Sequence, residues 1–346
     1  MIFRENLRKL LPLIIVLVSL PILLVAIPEA VRYLGRAAGV PANLVIDLDA
    51  TIGPLPHPWR NLAQGGEELD KQMFSSVINE TKVLAPEYIR IDHLYDGYGV
   101  VSRDGSGALK YDFSRLDATV QDILATGARP FLSLSYMPAA ISKGDIVDLP
   151  KDWGEWEQVV RATVEHYSGI NQLNIPNVYY EAWNEPDLFG GYKIASGEKN
   201  YLTLYSHTAI GAKKAQNVNS FKLGGPATTA LYKNWVDTFL NFVIKNNLKL
   251  DFYSWHRYDK DLAQYEDDWN SIYSWMDKHP EKADLELFVT EWGHNSNVDS
   301  GYDGKFGAIH TLAVSRVMMG RIARGFVFEV KDGPGTSQYW GRWGLL

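Results

Sequence analysis

Short apolar runs alternate with amphipathic stretches along most of the chain, and this alternation constrains the fold more than any other feature. The runs are Leu44–Leu48, Tyr88–Asp92, Arg129–Ser135, Asn177–Asn184, Lys222–Pro226, Asp251–His256, Leu285–Glu291 and Gly325–Val330. Their length and their β-branched and aromatic content predict strands. Between them, Ser114–Thr126, Trp153–Tyr167, Tyr201–Asn217 and Asn234–Asn246 read as helices. In the first of these, Leu116, Val120, Ile123 and Leu124 share a face, Ser114 is placed to cap the start, and Gly127 ends it directly before the next strand. Strand–helix alternation implies an α/β fold with a parallel sheet and helices outside. Eight strands predict a closed (β/α)8 barrel. An open doubly wound sheet would carry a Gly-rich phosphate loop after its first strand, and none is present. The chain stops at Leu346, soon after the last run, so the eighth outer helix is expected to be missing.

Ahead of the barrel, Leu10 to Ile27 carries no charge, and Arg4, Arg8 and Lys9 precede it. This run approaches the roughly 20 residues that cross a bilayer. Pro12 and Pro21 disfavour a soluble helix and are better tolerated in a spanning one. The basic flank is expected to stay cytoplasmic, which puts the rest of the chain outside. No small-x-small cleavage site follows, so the reading is a transmembrane anchor over residues 1–28, a linker over 29–42 and a barrel over 43–346. The alternative is a secreted protein released by signal cleavage.

Active sites of such barrels form at the C-terminal ends of the strands. Glu185 and Glu291 follow the fourth and seventh runs, so they face each other across the mouth. Two carboxyl groups flanking a scissile bond are the requirement of glycoside hydrolysis: one attacks the anomeric carbon and the other protonates the leaving oxygen. Burial and the neighbouring carboxylate are expected to raise the pKa of the acid. Strand alternation puts Glu181, Trp183 and Glu185 on one face, with Glu181 deeper and structural, a candidate ion-pair partner for Arg90. Arg90 is placed to hold a carboxylate charged and oriented. Asn184 is a candidate donor to a sugar 2-hydroxyl. His256 and Tyr258 are candidates for sugar contacts, and Tyr258 also for orienting the nucleophile. Asp92, His93 and Trp292 are candidates for the pocket wall.

Other chemistries lack their residues. The chain has no cysteine, which removes thiolate nucleophiles and thiolate metal sites. Its eight histidines never pair at i, i+4, so no metal is expected. No G-x-S-x-G elbow is present. The net charge is -7 and the part beyond the apolar run has no Lys/Arg tract, which speaks against nucleic acid.

From about Ile46 to Leu346 the chain resembles glycoside hydrolase clan A, and within it family 39, the β-xylosidase and α-L-iduronidase group. The pieces that carry the likeness are Glu181-Ala-Trp-Asn-Glu-Pro-Asp187 and Phe288-Val-Thr-Glu-Trp-Gly293. Arg129-Pro-Phe-Leu-Ser-Leu-Ser-Tyr-Met-Pro138, Gly224-Gly-Pro-Ala227 and Asp251-Phe-Tyr-Ser-Trp-His-Arg-Tyr258 support it. The resemblance implies a retaining mechanism through a covalent glycosyl-enzyme, with acid/base Glu185 beside Asn184, nucleophile Glu291, and contacts from His256 and Tyr258. It implies an oligo- or polysaccharide substrate and no cofactor. Three departures bear on specificity. Asp92 stands where the family has a histidine. The eighth run lacks the family's Trp, which leaves Glu329 or Asp332 to supply the acidic sugar contact. The family's β-sandwich accessory domain is absent. A non-catalytic carbohydrate-binding barrel, and a transglycosylase using the same two Glu, are the alternatives.

Overall fold

In a computed structural model the chain is described over residues 55–66, 72–333 and 341–346, together with residues 17, 47, 49, 50 and 53. It divides into two units, Met1–Pro54 and Leu55–Leu346. The second unit is the barrel. Among the described residues no helix is long and apolar enough to cross a membrane. The predicted anchor over residues 10–27 lies, apart from Leu17, outside the described residues.

The order is β1 (Asn61–Gln64), α1 (Ile78–Val83), β2 (Tyr88–Ile91), β3 (Val101–Arg103), β4 (Leu109–Tyr111), α2 (Ser114–Ala125), β5 (Arg129–Ser133), α3 (Trp153–Ser168), β6 (Tyr179–Glu181), α4 (Tyr201–Lys213), β7 (Lys222–Thr228), α5 (Lys233–Lys245), β8 (Phe252–Tyr258), α6 (Leu262–Met276), β9 (Glu286–Gly293), α7 (Lys305–Met318) and β10 (Arg324–Phe328). Eight strands close in the order β1-β10-β9-β8-β7-β6-β5-β2, every neighbour parallel. The antiparallel pair β3–β4 sits in the long connection after β2, which the sequence reading left without structure. No helix follows β10 among the described residues. Ile309 and Leu312 on α7 are 65% and 73% exposed.

One strand is displaced from its predicted place. The barrel begins with Asn61–Gln64, a four-residue strand with no β-branched residue. Most of the predicted Leu44–Leu48 lies outside the described residues, and Asp47 within it has no regular structure. All four residues of β1 are buried and pair with β2, and the first three also pair with β10, so closure of the barrel, not intrinsic propensity, makes this segment a strand. Ser114 is also not a cap: it is the first residue of α2, and the Asp112 carboxylate accepts its backbone N–H at 3.0 Å.

Two apolar layers hold the barrel. Inside, Tyr88, Phe131, Tyr179, Phe252, Phe288 and Phe326 form an aromatic plug, with Phe252 on Phe288 and Phe131 on Phe326 at 4.8 Å between ring centres. Outside, alternate residues such as Ile89, Leu132, Tyr180, Leu223 and Val289 meet the helices. The plug fills the deep end, so the polar residues that follow it along each strand collect at the mouth.

Candidate active site

The polar layer above the plug is organised by one cation. Arg90 points inward two residues beyond Tyr88 and is fully buried. Its Nε donates to Glu181 Oε2 at 2.8 Å, one terminal nitrogen to Glu291 Oε1 at 2.9 Å, and the other to Asn184 Oδ1 at 2.7 Å. Burial opposes its charge, but Glu181, Glu291 and Asp92 outweigh that and raise its pKa, so Arg90 stays charged. The suspected Arg90–Glu181 ion pair is therefore present. A planar guanidinium is the one side chain that can satisfy three acceptors in fixed directions.

Glu291 is aimed by a bulge. Phe288 faces the plug, so strict alternation would turn Glu291 outward. The register between β8 and β9 moves from Trp255↔Val289 to His256↔Glu291, which leaves Thr290 as an extra residue. Against β10 it likewise moves from Gly325↔Val289 to Val327↔Trp292. The extra residue resets the period and turns Glu291 to the inside, the use to which barrels put bulges beside functional sites. Trp292 consequently faces the outer layer. It packs with the outer core and borders a cavity of about 760 Å³ between α7 and the segment after β10, not the mouth.

Tyr258, two residues beyond His256 on β8, donates its hydroxyl to Glu291 Oε2 at 2.9 Å. Burial and the charge of Glu291 push the Tyr258 hydroxyl well above its ordinary pKa, so it keeps its proton. Both Glu291 oxygens thus accept hydrogen bonds. Burial pushes the Glu291 carboxyl up, to about 7, against the opposing pull of His256 and Arg90.

Glu185 is presented by strained backbone. β6 ends at Glu181, and Trp183 and Glu185 have φ of +78° and +45°. Such conformations cost non-glycine residues about 1–3 kcal/mol each. They end the period of two, so Trp183 does not share a face with Glu181 and Glu185: it is buried in the outer layer against Tyr136, Trp156 and Tyr192. Neighbours hold the strained turn. The Ala227 carbonyl, at a bulge on β7, accepts the Glu185 N–H at 3.0 Å. Asp187 Oδ1 accepts the Thr229 N–H at 3.0 Å. The Glu185 carboxyl then reaches His256, whose Nδ1 lies 2.8 Å from Glu185 Oε1 and 3.6 Å from Glu291 Oε2. Burial lowers the pKa of His256, yet the charges of Glu291 and Glu185 prevail and raise it.

Glu185, His256 and Glu291 each place one oxygen or nitrogen within 4.8 Å of the others. That spacing would also suit a metal ion, but His256 and Glu185 are already bonded to each other, and Arg90 and Tyr258 occupy Glu291. The arrangement sets two carboxyls a few ångströms apart, one held by Arg90 and Tyr258 and the other against His256.

Asn184 sits between the two halves of the site. Besides accepting from Arg90, its Nδ2 donates to Asp92 Oδ2 at 3.2 Å and to the Tyr136 hydroxyl at 2.8 Å. Both amide hydrogens are thereby used within the protein. His93 lies at the rim, its Nδ1 2.6 Å from Asp96 Oδ2 and its ring edge-on to Tyr136. Glu329 is buried just past β10, where its Oε2 accepts Gln64 Nε2 at 2.8 Å and the Gly65 N–H at 3.3 Å. It fastens β10 to β1, and Asp332 accepts the Gly344 N–H at 2.7 Å. Sequence reasoning missed Tyr136, which lay within a quoted motif at the end of a strand, and Gln64, on the unrecognised first strand. It also missed Trp343, which packs on Phe328 at 5.3 Å from a segment with no periodic signal.

Comparison with known proteins agrees with this architecture. Residues 44–287 match the family described as "Glycosyl hydrolases family 39". The chain is 32% identical over 188 residues to "Beta-xylosidase" of Caldicellulosiruptor saccharolyticus, covering 51% of this chain and 37% of that protein. It is 31% identical over 204 residues to "Beta-xylosidase" of Geobacillus stearothermophilus, covering 56% and 39%. The match thus spans well under half the length of these relatives. Among solved structures, a monomeric beta-xylosidase from Caulobacter crescentus CB15 shares the fold with a TM-score of 0.74 at 24% identity, covering 87% of this chain and 67% of that one. With more than half of its residues matched by the family and the carboxylates at the strand ends, the chain belongs to glycosyl hydrolases family 39.

Proposed function

We propose that the protein is a retaining glycoside hydrolase acting on an oligo- or polysaccharide. Glu291 is the nucleophile and Glu185 the acid/base. The observation that carries this reading is the unequal treatment of the two carboxyls. Glu291 receives the Arg90 N–H on one oxygen and the Tyr258 O–H on the other, as an attacking carboxylate requires. Among the described residues the Glu185 carboxyl is bonded to the His256 imidazole, whose ring nitrogen can accept or give a proton. Carboxyls a few ångströms apart leave no room for a water between them and the sugar, which favours double displacement over inversion. In the first step Glu291 attacks the anomeric carbon while Glu185 protonates the departing oxygen. In the second Glu185 deprotonates a water that releases the sugar. The names of the relatives make β-xylosides the first substrates to try.

The reading includes export: residues 10–27 anchor the chain, and the barrel lies outside the cytoplasm. The charge-free run behind Arg4, Arg8 and Lys9 supports it.

The test is product stereochemistry. NMR of the first sugar released from an aryl glycoside should show the configuration of the substrate, and Glu291→Ala should abolish release. An inverted product would overturn the mechanism, and activity surviving in the variant would overturn the role of Glu291.

A further inference from the structure

The turn that carries Glu185 continues into a group of exposed apolar side chains. Leu188, Phe189 and Tyr232 are 60%, 41% and 37% exposed. Single apolar residues on a surface are ordinary, but these three are gathered on the connections that follow β6 and β7. The two strands are neighbours, and their C-terminal ends belong to the mouth.

Both aromatic rings are held in place. The Glu185 carbonyl accepts the Phe189 N–H at 2.7 Å and the Leu188 N–H at 3.0 Å. Trp183 Nε1 donates to the Phe189 carbonyl at 3.1 Å. The Phe189 ring packs on Tyr136 at 5.6 Å between centres, and the Tyr136 hydroxyl accepts from Asn184, the neighbour of Glu185. On the second connection, the Tyr232 hydroxyl lies 2.9 Å from Thr229 Oγ1. That Thr229 hydroxyl donates to Asp187 Oδ2, so Tyr232 is the donor to Thr229. Asp187 therefore ties the second ring to the same turn.

A fixed, half-exposed ring offers a flat apolar face, and Tyr232 adds a polar tip. The faces of a pyranose carry C–H bonds and suit such a surface, while its hydroxyls project around the edge. In the glycosidase reading Glu185 protonates the departing oxygen, so the group that departs lies on the side of Glu185. In an oligosaccharide that group is another pyranose.

We propose that Leu188, Phe189 and Tyr232 form a subsite for the sugar residue on the leaving-group side of the scissile bond. It rests on the glycosidase reading and deepens it: the substrate is a saccharide held on both sides of the bond that is cut. Binding energy from this remote ring is then available to the transition state.

The test uses the full chain with xylobiose and cellobiose, and with β-xylosyl and β-glucosyl fluoride. Each fluoride delivers the same glycosyl unit as its disaccharide, but its single-atom leaving group is too small to reach the subsite. For the sugar that is turned over, the ratio of kcat/KM on the disaccharide to kcat/KM on the fluoride is compared between variants. Phe189→Leu, which keeps bulk against Tyr136, and Tyr232→Ala should each lower that ratio by about five- to tenfold. Phe189→Trp and Tyr232→Phe keep a ring and should hold it within about twofold. A ratio unchanged in Phe189→Leu and Tyr232→Ala overturns the proposal, and so does an equal fall in the variants that keep a ring. Turnover of any substrate that Glu291→Ala abolishes supports the glycosidase reading whatever the ratio does. If the wild type turns over none of the four, that counts against the glycosidase reading, and the subsite is read from binding. Saturation-transfer NMR should then show the reducing-end ring of a disaccharide taking up saturation from the wild type and losing most of it in Tyr232→Ala. No transfer, or equal transfer in the variant, overturns the subsite.

Discussion

The Tyr258 hydroxyl donates to Glu291 Oε2 across the seam between β8 and β9, while Arg90 holds the other oxygen of the same carboxyl. A donor to a carboxylate stabilises the ionised form, so removing it raises the carboxyl's pKa. Tyr258→Phe should lower kcat/KM by about 10- to 100-fold. It should also move the acid limb of the pH profile to higher pH. A variant that loses activity with no shift of that limb would show that Tyr258 acts elsewhere.

The pH dependence of the wild type follows from the same carboxyl. Burial raises Glu291 to about 7, and the nucleophile attacks only when ionised. On the acid side, activity should therefore fall as pH drops through this value. The measurement is kcat/KM against pH, which reports the free enzyme. An acid limb at the ordinary glutamate position, about 4.3, would mean that Arg90 and His256 outweigh burial.

Glu185 is expected to matter in proportion to the leaving group's need for a proton. Glu185→Ala should cost roughly 10²- to 10⁴-fold on alkyl or sugar leaving groups, and much less on activated aryl glycosides. Steady-state kinetics over a series of leaving groups checks this. Equal losses across the series would contradict the acid role.

Arg90 is as much a structural residue as a site residue. Its removal leaves Glu181 and Glu291 buried without their cation. Arg90→Met should destabilise the fold by about 3–5 kcal/mol, the cost of breaking one partner out of a buried pair. Urea unfolding measures it. A variant as stable as the wild type would show that the mouth admits enough water to hydrate both carboxylates.

The proposed anchor over residues 10–27 makes a separate prediction. The full chain should fractionate with membranes, its barrel open to external protease, and a chain starting at Pro41 should be soluble. A full chain found in the soluble fraction and beginning after residue 27 would show cleavage instead.

Much of this protein is written locally. The second to eighth predicted strands are found where apolar runs predicted them, because a strand buried on both faces must be apolar along its whole length. Both carboxylates were legible for the same reason: each stands at the C-terminal end of an apolar run, where a barrel strand reaches the mouth. What the sequence did not contain is direction. Period two points Glu291 outward and Trp292 inward, and only pairing with β8 and β10 forces Thr290 into a bulge that reverses them. Period two likewise groups Trp183 with Glu185, and only the left-handed turn held by Ala227 separates them. Asn61–Gln64 has no strand signal of its own and becomes β1 because closing the barrel leaves its backbone groups no other partners. Local sequence fixes which segments are buried. The register between strands fixes which way each side chain points, and register is a property of pairs that one segment alone cannot encode.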